Sequence, residues 1–212
     1  MFNKIASQIA DQLEASGIIK SEDKSLYTYG LQQGLIILLN ITTTIILGCI
    51  FGKVVQAIMF TVLYMPLRRF AGGYHAKTPM RCYIYSTLLV AVILILSQYL
   101  EQHFWMLIIL SVLSAVAIAL FSPVEDQHKP LDDTEQWMYR KKAIWILGIE
   151  LFVTLVAALL YLNSLLVILT LNLLTVGLLQ VIGCVKNAIN KNRNKKKMQI
   201  LHGRNSHKNR LK

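Results

Sequence analysis

Residues 164–185 read SLLVILTLNLLTVGLLQVIGCV, a run without a single charged side chain. An α-helix needs about 20 apolar residues to cross the hydrocarbon core of a bilayer, which is roughly 30 Å thick. The run therefore predicts a transmembrane helix. The composition of the whole chain agrees, because 55% of its 212 residues are hydrophobic, 16% are charged and the mean hydropathy is +0.50. A water-soluble surface is not built from such a composition.

Five further apolar runs come before this one, and the six together predict an all-α fold, a polytopic membrane bundle of six transmembrane helices. The six runs are Leu31–Gly52, Val54–Leu67, Tyr83–Leu100, Phe104–Phe121, Ala143–Leu162 and Ser164–Val185. The second run is short, so a re-entrant segment is the alternative to a crossing. Interfacial placement of Arg68 and Phe70 at its end would give it the length to cross.

The chain begins with an amphipathic pattern. Phe2, Ile5, Ile9 and Leu13 recur at helical spacing among polar residues. This spacing predicts an amphipathic helix that ends before Gly17. The helix either lies in the membrane interface or packs against the ends of its own bundle.

Lysine and arginine residues predict the orientation of the bundle. The formal net charge is +11, and the positive side chains concentrate in the loops after the second and fourth runs and in the tail. Cytoplasmic loops carry such an excess, so both loops and both termini are expected on the cytoplasmic side. The predicted organisation is an N-terminal segment (1–30), a transmembrane domain (31–185) and a basic cytoplasmic tail (186–212). The tail lacks interleaved aromatic residues, which favours membrane lipids over nucleic acid as its partner.

The three cysteines, Cys49, Cys82 and Cys184, are too few and too odd in number for a disulfide framework. Cys49 and Cys184 lie inside apolar runs and are predicted to be small buried residues. Cys82 differs, because it closes a polar loop that reads RRFAGGYHAKTPMRC from residue 68 to residue 82. This loop has one His and one Cys but no paired carboxylate or further ligand, so we expect no metal and no cofactor.

The loop concentrates the requirements of a thiol nucleophile. A cysteine attacks a carbonyl only as its thiolate, which a positive neighbour, a base or a helix N-terminus favours. Thr78 and Pro79 are a typical helix start, so Cys82 is predicted in the opening turn of the third transmembrane helix, where the macrodipole favours an anion. The loop also contains four cations, Arg68, Arg69, Lys77 and Arg81.

His75 is the candidate general base. It lies seven residues before Cys82, a separation of about 10 Å along one continuous helix, which is too long for a proton transfer. The helix must therefore break between them, and Pro79 supplies the break, while Gly72 and Gly73 let the backbone turn tightly ahead of His75. The spacing is compatible with a dyad and does not prove one, since a lone His and a lone Cys near the interface are more often packing or surface residues.

The residues of this loop resemble those of a known protein family. The run of residues 68–82, with its basic pair, double glycine, His-Ala and a Cys seven residues after the His, resembles the signature of the accessory gene regulator B (AgrB) family of bacterial membrane peptidases. The loop of residues 122–130, which leads into the basic stretch YRKK, is similar to the second cytoplasmic loop of that family. The similarity extends to the length of the chain, its multiple spans and its cytoplasmic termini.

The resemblance implies a quorum-sensing enzyme of the bacterial cell membrane with a cytoplasmic active site. Members of the family trim the C-terminal tail of a small precursor peptide, AgrD, and leave a cyclic thiolactone or lactone. The family's catalytic residues carry onto His75 and Cys82, and an AgrD-like peptide is the implied partner. The alternatives are a peptide exporter and a non-enzymatic membrane scaffold. No nucleotide-binding motif and no chain of charged residues through the spans supports an exporter.

The cations of the loop have two interpretations. Arg68, Arg69, Lys77 and Arg81 either bind carboxylates of the precursor near the scissile bond or serve the orientation of the chain alone. Both interpretations predict a positive loop, so the sequence does not separate them.

Two further features remain hypotheses. Ser86 and Glu150 lie within predicted spans, and neither is assigned a catalytic role, because Ser usually bonds its own helix and a buried carboxylate can stabilise a bundle. Small residues allow close helix approach, so the pairs Gly30-x-x-x-Gly34 and Gly48-x-x-x-Gly52 predict a homodimer.

Overall fold

The computed structural model describes residues 2–73, 78–124 and 132–209, with side chains for all of these except 2, 191, 192 and 194–209. The described residues form seven α-helices and a 3-10 turn at Ser21–Asp23. The helices are α1 (Phe2–Ala15), α2 (Lys24–Ile50), α3 (Val54–Ala71), α4 (Pro79–Leu100), α5 (Phe104–Phe121), α6 (Asp133–Leu159) and α7 (Asn163–Asn209). Extended backbone pairs in an isolated bridge between Gly72 and Val124. The predicted all-α fold is confirmed.

Six of the described helices, α2 to α7, are long and apolar enough to cross a bilayer. Their number equals the number of predicted spans, and the multi-pass membrane architecture is confirmed. The short second run forms α3, whose 18 residues include Arg68, Arg69 and Phe70. A helix of that size is about 27 Å long, which is the length of a crossing helix.

Three helices run seven or more residues beyond the apolar runs that predicted them. They are α2, which begins at Lys24, α6, which begins at Asp133, and α7, which continues to Asn209. Asp132 explains the early start of α6, because its carboxylate accepts hydrogen bonds from the Asp133 backbone and the Thr134 hydroxyl, both at 2.9 Å. A hydropathy pattern reports only the apolar part of a helix, so these polar ends escaped the prediction.

The described residues divide into two compact units, and the first holds α1, α2, the start of α3 and most of α4. α1 packs on α2 through Ala6 and Ala10, both fully buried, whose small side chains let the two helices approach closely. Ile5 stays exposed on α1. The predicted helix is therefore present and packs on its own bundle, while a position in the membrane interface remains a prediction.

Lys24 joins α1 to α2 electrostatically. Its ammonium lies 2.9 Å from the Asp11 carboxylate and 2.7 Å from the Glu14 carboxylate. The Ser21 hydroxyl also donates to Glu14, at 2.5 Å. The hydrogen bonds from Lys24 and Ser21 lower the pKa of Glu14, because both stabilise its charged form. Solvent reaches these side chains, so the pairs orient α1 more than they stabilise it.

The connection from α2 to α3 uses one of the glycine pairs predicted for dimerisation. A Cβ on Gly48 would lie 2.8 Å from the Val54 Cα, so this glycine makes room for the start of α3 in the same chain. Gly52 adopts the left-handed region at φ +65° in the turn. The pair thus serves the fold of one chain. Gly30 and Gly34, in contrast, have open space around them.

The prediction that both cysteines of the apolar runs are buried is wrong. Cys49 is exposed on α2, and Cys184 is only partly buried on α7. An apolar run in a membrane bundle needs no burial in protein, because lipid tails surround its outer face and are as apolar as its side chains.

α7 is the centre of the second unit, which holds the rest of α3, the end of α4, α5, α6 and α7. In the most apolar stretch of α7, 67% of the residues are buried inside the protein. The corresponding share is 17–28% for the other five spans. A helix enclosed by protein can carry polar side chains where partners meet them, and buried examples on α7 are Thr170, Asn172, Thr175 and Gln180. The core around α7 joins α3, α5 and α6 through Leu67, Ala71, Ala115, Ile118, Ala143, Leu147, Leu173 and Val176.

Candidate active site

The helix start predicted ahead of Cys82 is present. α4 begins at Pro79, and Thr78 caps it: the Thr78 hydroxyl accepts the Arg81 backbone N–H at 3.4 Å, and the Thr78 carbonyl accepts the Cys82 N–H at 3.1 Å. The Cys82 side chain is exposed and forms no disulfide. A thiol in this position lies at the positive end of the helix dipole and is open to an approaching peptide.

Ser86 and Glu150 have partners that explain them without catalysis. The Ser86 hydroxyl donates to the Cys82 carbonyl at 2.8 Å, which is a bond to its own helix. Glu150 is only 3% exposed, and its carboxylate accepts a hydrogen bond at 2.8 Å from the Asn172 amide. The Glu150 pair joins α6 to α7, which agrees with a structural role in the bundle.

Gly72 and Gly73 both need to be glycine. Their φ angles are +74° and +120°, values that side-chain-bearing residues rarely adopt. A Cβ on Gly72 would overlap the Val124 carbonyl oxygen and lie 2.9 Å from the Val124 nitrogen. A Cβ on Gly73 would lie 2.8 Å from Arg68 Nη1 and 2.9 Å from the Leu179 oxygen. The positive φ of both residues agrees with the prediction that glycine is needed here, and this glycine turn is also in close contact with two other segments.

Val124, in the loop after α5, pairs with the backbone at the end of α3. The Val124 N–H donates to the Ala71 carbonyl at 3.0 Å, and the Gly73 N–H donates to the Val124 carbonyl at 3.2 Å. The first and second basic loops thus begin at the same end of the second unit. This arrangement agrees with the prediction that both loops lie on one side of the membrane.

Arg68 points into this contact. Its guanidinium donates to the Gly72 carbonyl, and its side chain is half-buried. A guanidinium that holds the backbone of its own chain is less available to a carboxylate of a substrate. The position of Arg68 therefore favours a role in loop geometry over the substrate contact considered from the sequence.

Arg69 is exposed and approaches an aromatic ring. The Arg69 guanidinium lies 5.9 Å from the centre of the Phe70 ring, and the Lys142 ammonium from α6 lies 5.2 Å from the same centre. The Tyr139 ring meets Phe70 edge-on at 5.6 Å. Arg81 is exposed on the first turn of α4. Arg69 and Arg81 are thus placed where an anionic group could reach them.

Two of the predicted site residues, His75 and Lys77, lie outside the described residues. The dyad of His75 with Cys82 therefore stays a prediction, as does a contact of Lys77 with the substrate. Cys82 belongs to the first unit and the glycine turn to the second. Across the described ranges 2–73, 78–124 and 132–209, no three His, Cys, Asp or Glu side chains form a group that could hold a metal ion.

Two buried amides, Gln180 and Asn172, were not predicted from the sequence. Gln180 is fully buried, and its amide nitrogen donates to the Ala71 carbonyl at 2.9 Å and to the Ser122 hydroxyl at 2.8 Å. Both residues interrupt an otherwise apolar run, and polar side chains in a span seek partners inside the bundle. The same rule that singled out Glu150 applies to these amides and would have found them.

Fold and site together define a multi-pass helical membrane protein that has an exposed cysteine at a capped helix start and, at the end of α3, two closely packed glycines. The sequence profile described as Accessory gene regulator B matches residues 2–200. The chain belongs to this family.

Relatives of the chain carry matching names. It is 24% identical over 172 residues to AgrB-like protein 2 of Clostridium perfringens, which covers 77% of this chain and 80% of that protein. It is 26% identical over 120 residues to accessory gene regulator protein B of Staphylococcus carnosus, which covers 54% of this chain and 62% of that protein. An AgrB-like protein of Halalkalibacterium halodurans is 24% identical over 155 residues, 73% of this chain and 77% of its own length. No solved structure matches.

Proposed function

We propose that the protein is a membrane-embedded cysteine endopeptidase that removes the C-terminal tail of an AgrD-like precursor and promotes closure of a thiolactone or lactone ring. The observation that carries the proposal is the exposed Cys82 thiol at the capped start of α4, in a chain of this family. His75 is the proposed general base, seven residues before the thiol.

In the first step His75 takes the proton of the Cys82 thiol, and the sulfur attacks the carbonyl that precedes the tail. The peptide C–N bond breaks, His75 returns the proton to the leaving amine, and the precursor remains as a thioester on Cys82. In the second step a thiol or hydroxyl of the bound peptide attacks this thioester while His75 takes its proton. The ring closes, the bond to Cys82 breaks, and the proton returns to the thiol.

The acyl-enzyme divides ring formation into two steps of unequal cost. Making a thioester on Cys82 from an amide is uphill, whereas exchanging one thioester for another is nearly isoenergetic. Departure of the tail must therefore drive the first step, and the second step then transfers the acyl group from the Cys82 thioester. Water must be kept from it meanwhile, which a site at the membrane surface can achieve.

Replacement of Cys82 tests the reaction directly. In cells that contain the precursor, Cys82→Ala is expected to abolish tail cleavage while precursor binding persists. Cys49→Ala is the matched control, because Cys49 is also exposed and unpaired but lies on α2. Mass spectrometry of the peptide measures tail removal and ring closure separately. Normal processing by Cys82→Ala would contradict the peptidase proposal and leave an exporter or a scaffold.

Replacement of His75 tests its role as the general base, and a second histidine supplies the control. His75→Gln is expected to lower the rate of tail cleavage by about 10²–10⁴-fold, the usual contribution of a positioned base. His103→Gln changes a histidine at the start of α5 and should leave the rate unchanged. Equal rates in the two variants would remove His75 from the mechanism.

The precursor is proposed to bind partly through charge, with Arg69, Arg81 and Lys77 attracting its carboxylates. Arg69→Gln and Arg81→Gln each leave several cations for orientation, so weaker binding with unchanged topology is expected. The weakening should diminish as salt screens the interaction. Unchanged binding in both variants would assign these cations to orientation alone. Alkylation of Cys82 across pH accompanies the Arg81 variant, because its charge also lies beside the thiol.

The membrane placement is proposed to be that of a bacterial cell membrane, with the active site and both termini in the cytoplasm and lipids around the bundle. The distribution of Lys and Arg supports this orientation. A homodimer through Gly30 and Gly34 is proposed because both glycines are surrounded by open space. Gly34→Leu should reduce cross-linked dimer in membranes, and an unchanged or absent dimer would dispose of this interface.

A further inference from the structure

Gln180 makes two hydrogen bonds from a single atom deep in the bundle. Its side chain is fully buried on α7, and Nε2 donates to the Ala71 carbonyl at 2.9 Å and to the Ser122 hydroxyl at 2.8 Å. A side-chain amide nitrogen carries two hydrogens, so each bond uses one of them. A buried amide is costly unless it is bonded, and here the bonds reach α3 and the residue after α5.

The Ala71 carbonyl lies at the end of α3, where helix carbonyls lose their partners within the helix. A membrane protein must satisfy such groups from its own side chains and backbone. Gln180 and the Val124 N–H both donate to this carbonyl, at 2.9 Å and 3.0 Å. The end of α3 is thus held by α7 and by the loop that follows α5.

The same stretch of α7 also touches the glycine turn. The Leu179 backbone is so close to Gly73 that an added Cβ would lie 2.9 Å from its oxygen. Residues 179 and 180 together therefore contact both ends of the segment Ala71–Gly73. Only one residue, Tyr74, separates this segment from His75 in the sequence.

We propose that Gln180 is a positioning residue for His75, because it holds Ala71–Gly73, the backbone that leads to His75 in the sequence, in one conformation. The inference rests on the proposed function, which assigns His75 as the general base of Cys82. A misplacement of about 1 Å can cost about 10²-fold in rate. A buried amide far along the chain is thus able to control the reaction through the backbone.

Gln180→Met tests the inference, because Met has similar length and no hydrogen-bond donor. Thr175→Val is the matched control, since Thr175 is also buried on α7 but donates to the Leu171 carbonyl of its own helix at 2.7 Å. The full-length variants carry Cys49→Ala and Cys184→Ala, so that Cys82 is the cysteine that reacts. Tail cleavage gives kcat and KM, and iodoacetamide gives the rate of Cys82 alkylation across pH.

The expected result is a kcat about 10- to 100-fold lower in Gln180→Met, with KM within about twofold of the control. The pH profile of alkylation should move toward that of His75→Gln, which a change in stability alone would not produce. A profile and a kcat equal to those of Thr175→Val would overturn the inference. If Gln180→Met does not fold, Ser122→Ala is the second variant, because it removes one acceptor of Gln180 and leaves the hydrogen bond to Ala71. This variant should shift the pH profile of alkylation in the same direction but by less. No shift would overturn the inference.

Alkylation needs no precursor, which separates this inference from the peptidase proposal. A wild-type protein that does not cleave the precursor but shows the shift in Gln180→Met would refute the peptidase and retain the positioning role. Cleavage by the wild type without a shift in Gln180→Met or Ser122→Ala would retain the peptidase proposal and refute the positioning role. Coincident wild-type and His75→Gln profiles would refute the dyad and the positioning role together.

Discussion

Gly72→Ala is expected to disrupt the contact between the two basic loops. Gly72 has φ +74°, and an added Cβ would overlap the Val124 carbonyl oxygen and lie 2.9 Å from the Val124 nitrogen. Both atoms belong to the backbone, so no change of side-chain rotamer can relieve the overlap. The loop after α5 must therefore move away from the end of α3.

The size of the effect has two sources, backbone strain at residue 72 and the loss of the hydrogen bonds of Val124. A non-glycine residue in a disfavoured backbone region costs about 1–3 kcal/mol. Moving Val124 away also breaks its hydrogen bonds to Ala71 and Gly73, at 3.0 Å and 3.2 Å, each contributing about 0.5–1.5 kcal/mol. The unfolding free energy should thus fall by about 2–6 kcal/mol.

Thermal unfolding of the purified chain in detergent and tail cleavage measure this prediction together. Gly72→Ala should lower Tm by at least roughly 5 °C and should lower the cleavage rate as well. Gly148→Ala is the control, because Gly148 lies in α6 with nothing within 4 Å of an added Cβ. Alanine there should be neutral or stabilising by up to about 1 kcal/mol.

The comparison of the two glycine variants can refute the reasoning in one experiment. If Gly72→Ala unfolds at the same temperature as the wild type, the close approach of Gly72 to Val124 does not exist in the protein. If Gly148→Ala is equally destabilised, the loss reflects a general sensitivity to alanine rather than the loop contact.

Three further predictions concern orientation, the bundle interior and α1. Maleimide added outside intact cells should label Lys53→Cys but not Lys195→Cys; the opposite pattern would invert the topology. Asn172→Leu should lower the unfolding free energy by about 1–3 kcal/mol, because it removes the hydrogen-bond donor of the buried Glu150 carboxyl group. Glu150→Gln keeps an acceptor for Asn172 and should lower the unfolding free energy by less. The reverse order would contradict the pairing. Because the folded state lowers the pKa of Glu14 below its ordinary value of 4.5, its pairing should stabilise α1 above that pH and be lost as pH falls below it. Hydrogen exchange of α1 should then show protection that declines in acid, and constant protection would exclude this contribution.

The elements of the fold were predictable because their signals are local. α5 has the predicted bounds, because the whole helix coincides with one run of apolar side chains. The start of α4 was equally clear, because the Thr78 cap reaches only to Arg81 and Cys82. Helix ends built from polar turns, such as the start of α6 at Asp133, were placed too late because hydropathy does not report them.

The role of individual polar residues was less predictable. Arg68 was considered for substrate binding on charge alone, yet its guanidinium donates to the Gly72 carbonyl. Gly48 was considered for a dimer on spacing alone, yet it accommodates Val54 of its own chain. Charge and spacing describe what a residue is able to do, and the neighbours in space select one of these uses.

The sequence by itself determined that this is a six-span membrane protein with a cysteine at the first turn of its third span, because hydropathy, capping and helix breaking act between near neighbours in the chain. Only the tertiary structure decided what holds the loop ahead of His75. The Gln180 nitrogen and the Ala71 carbonyl are 109 positions apart. A carbonyl at a helix end inside a membrane must find a donor within the protein, and any of several polar residues could supply one. The packing of α3 and α5 around α7 selects Gln180, and no local pattern records that choice.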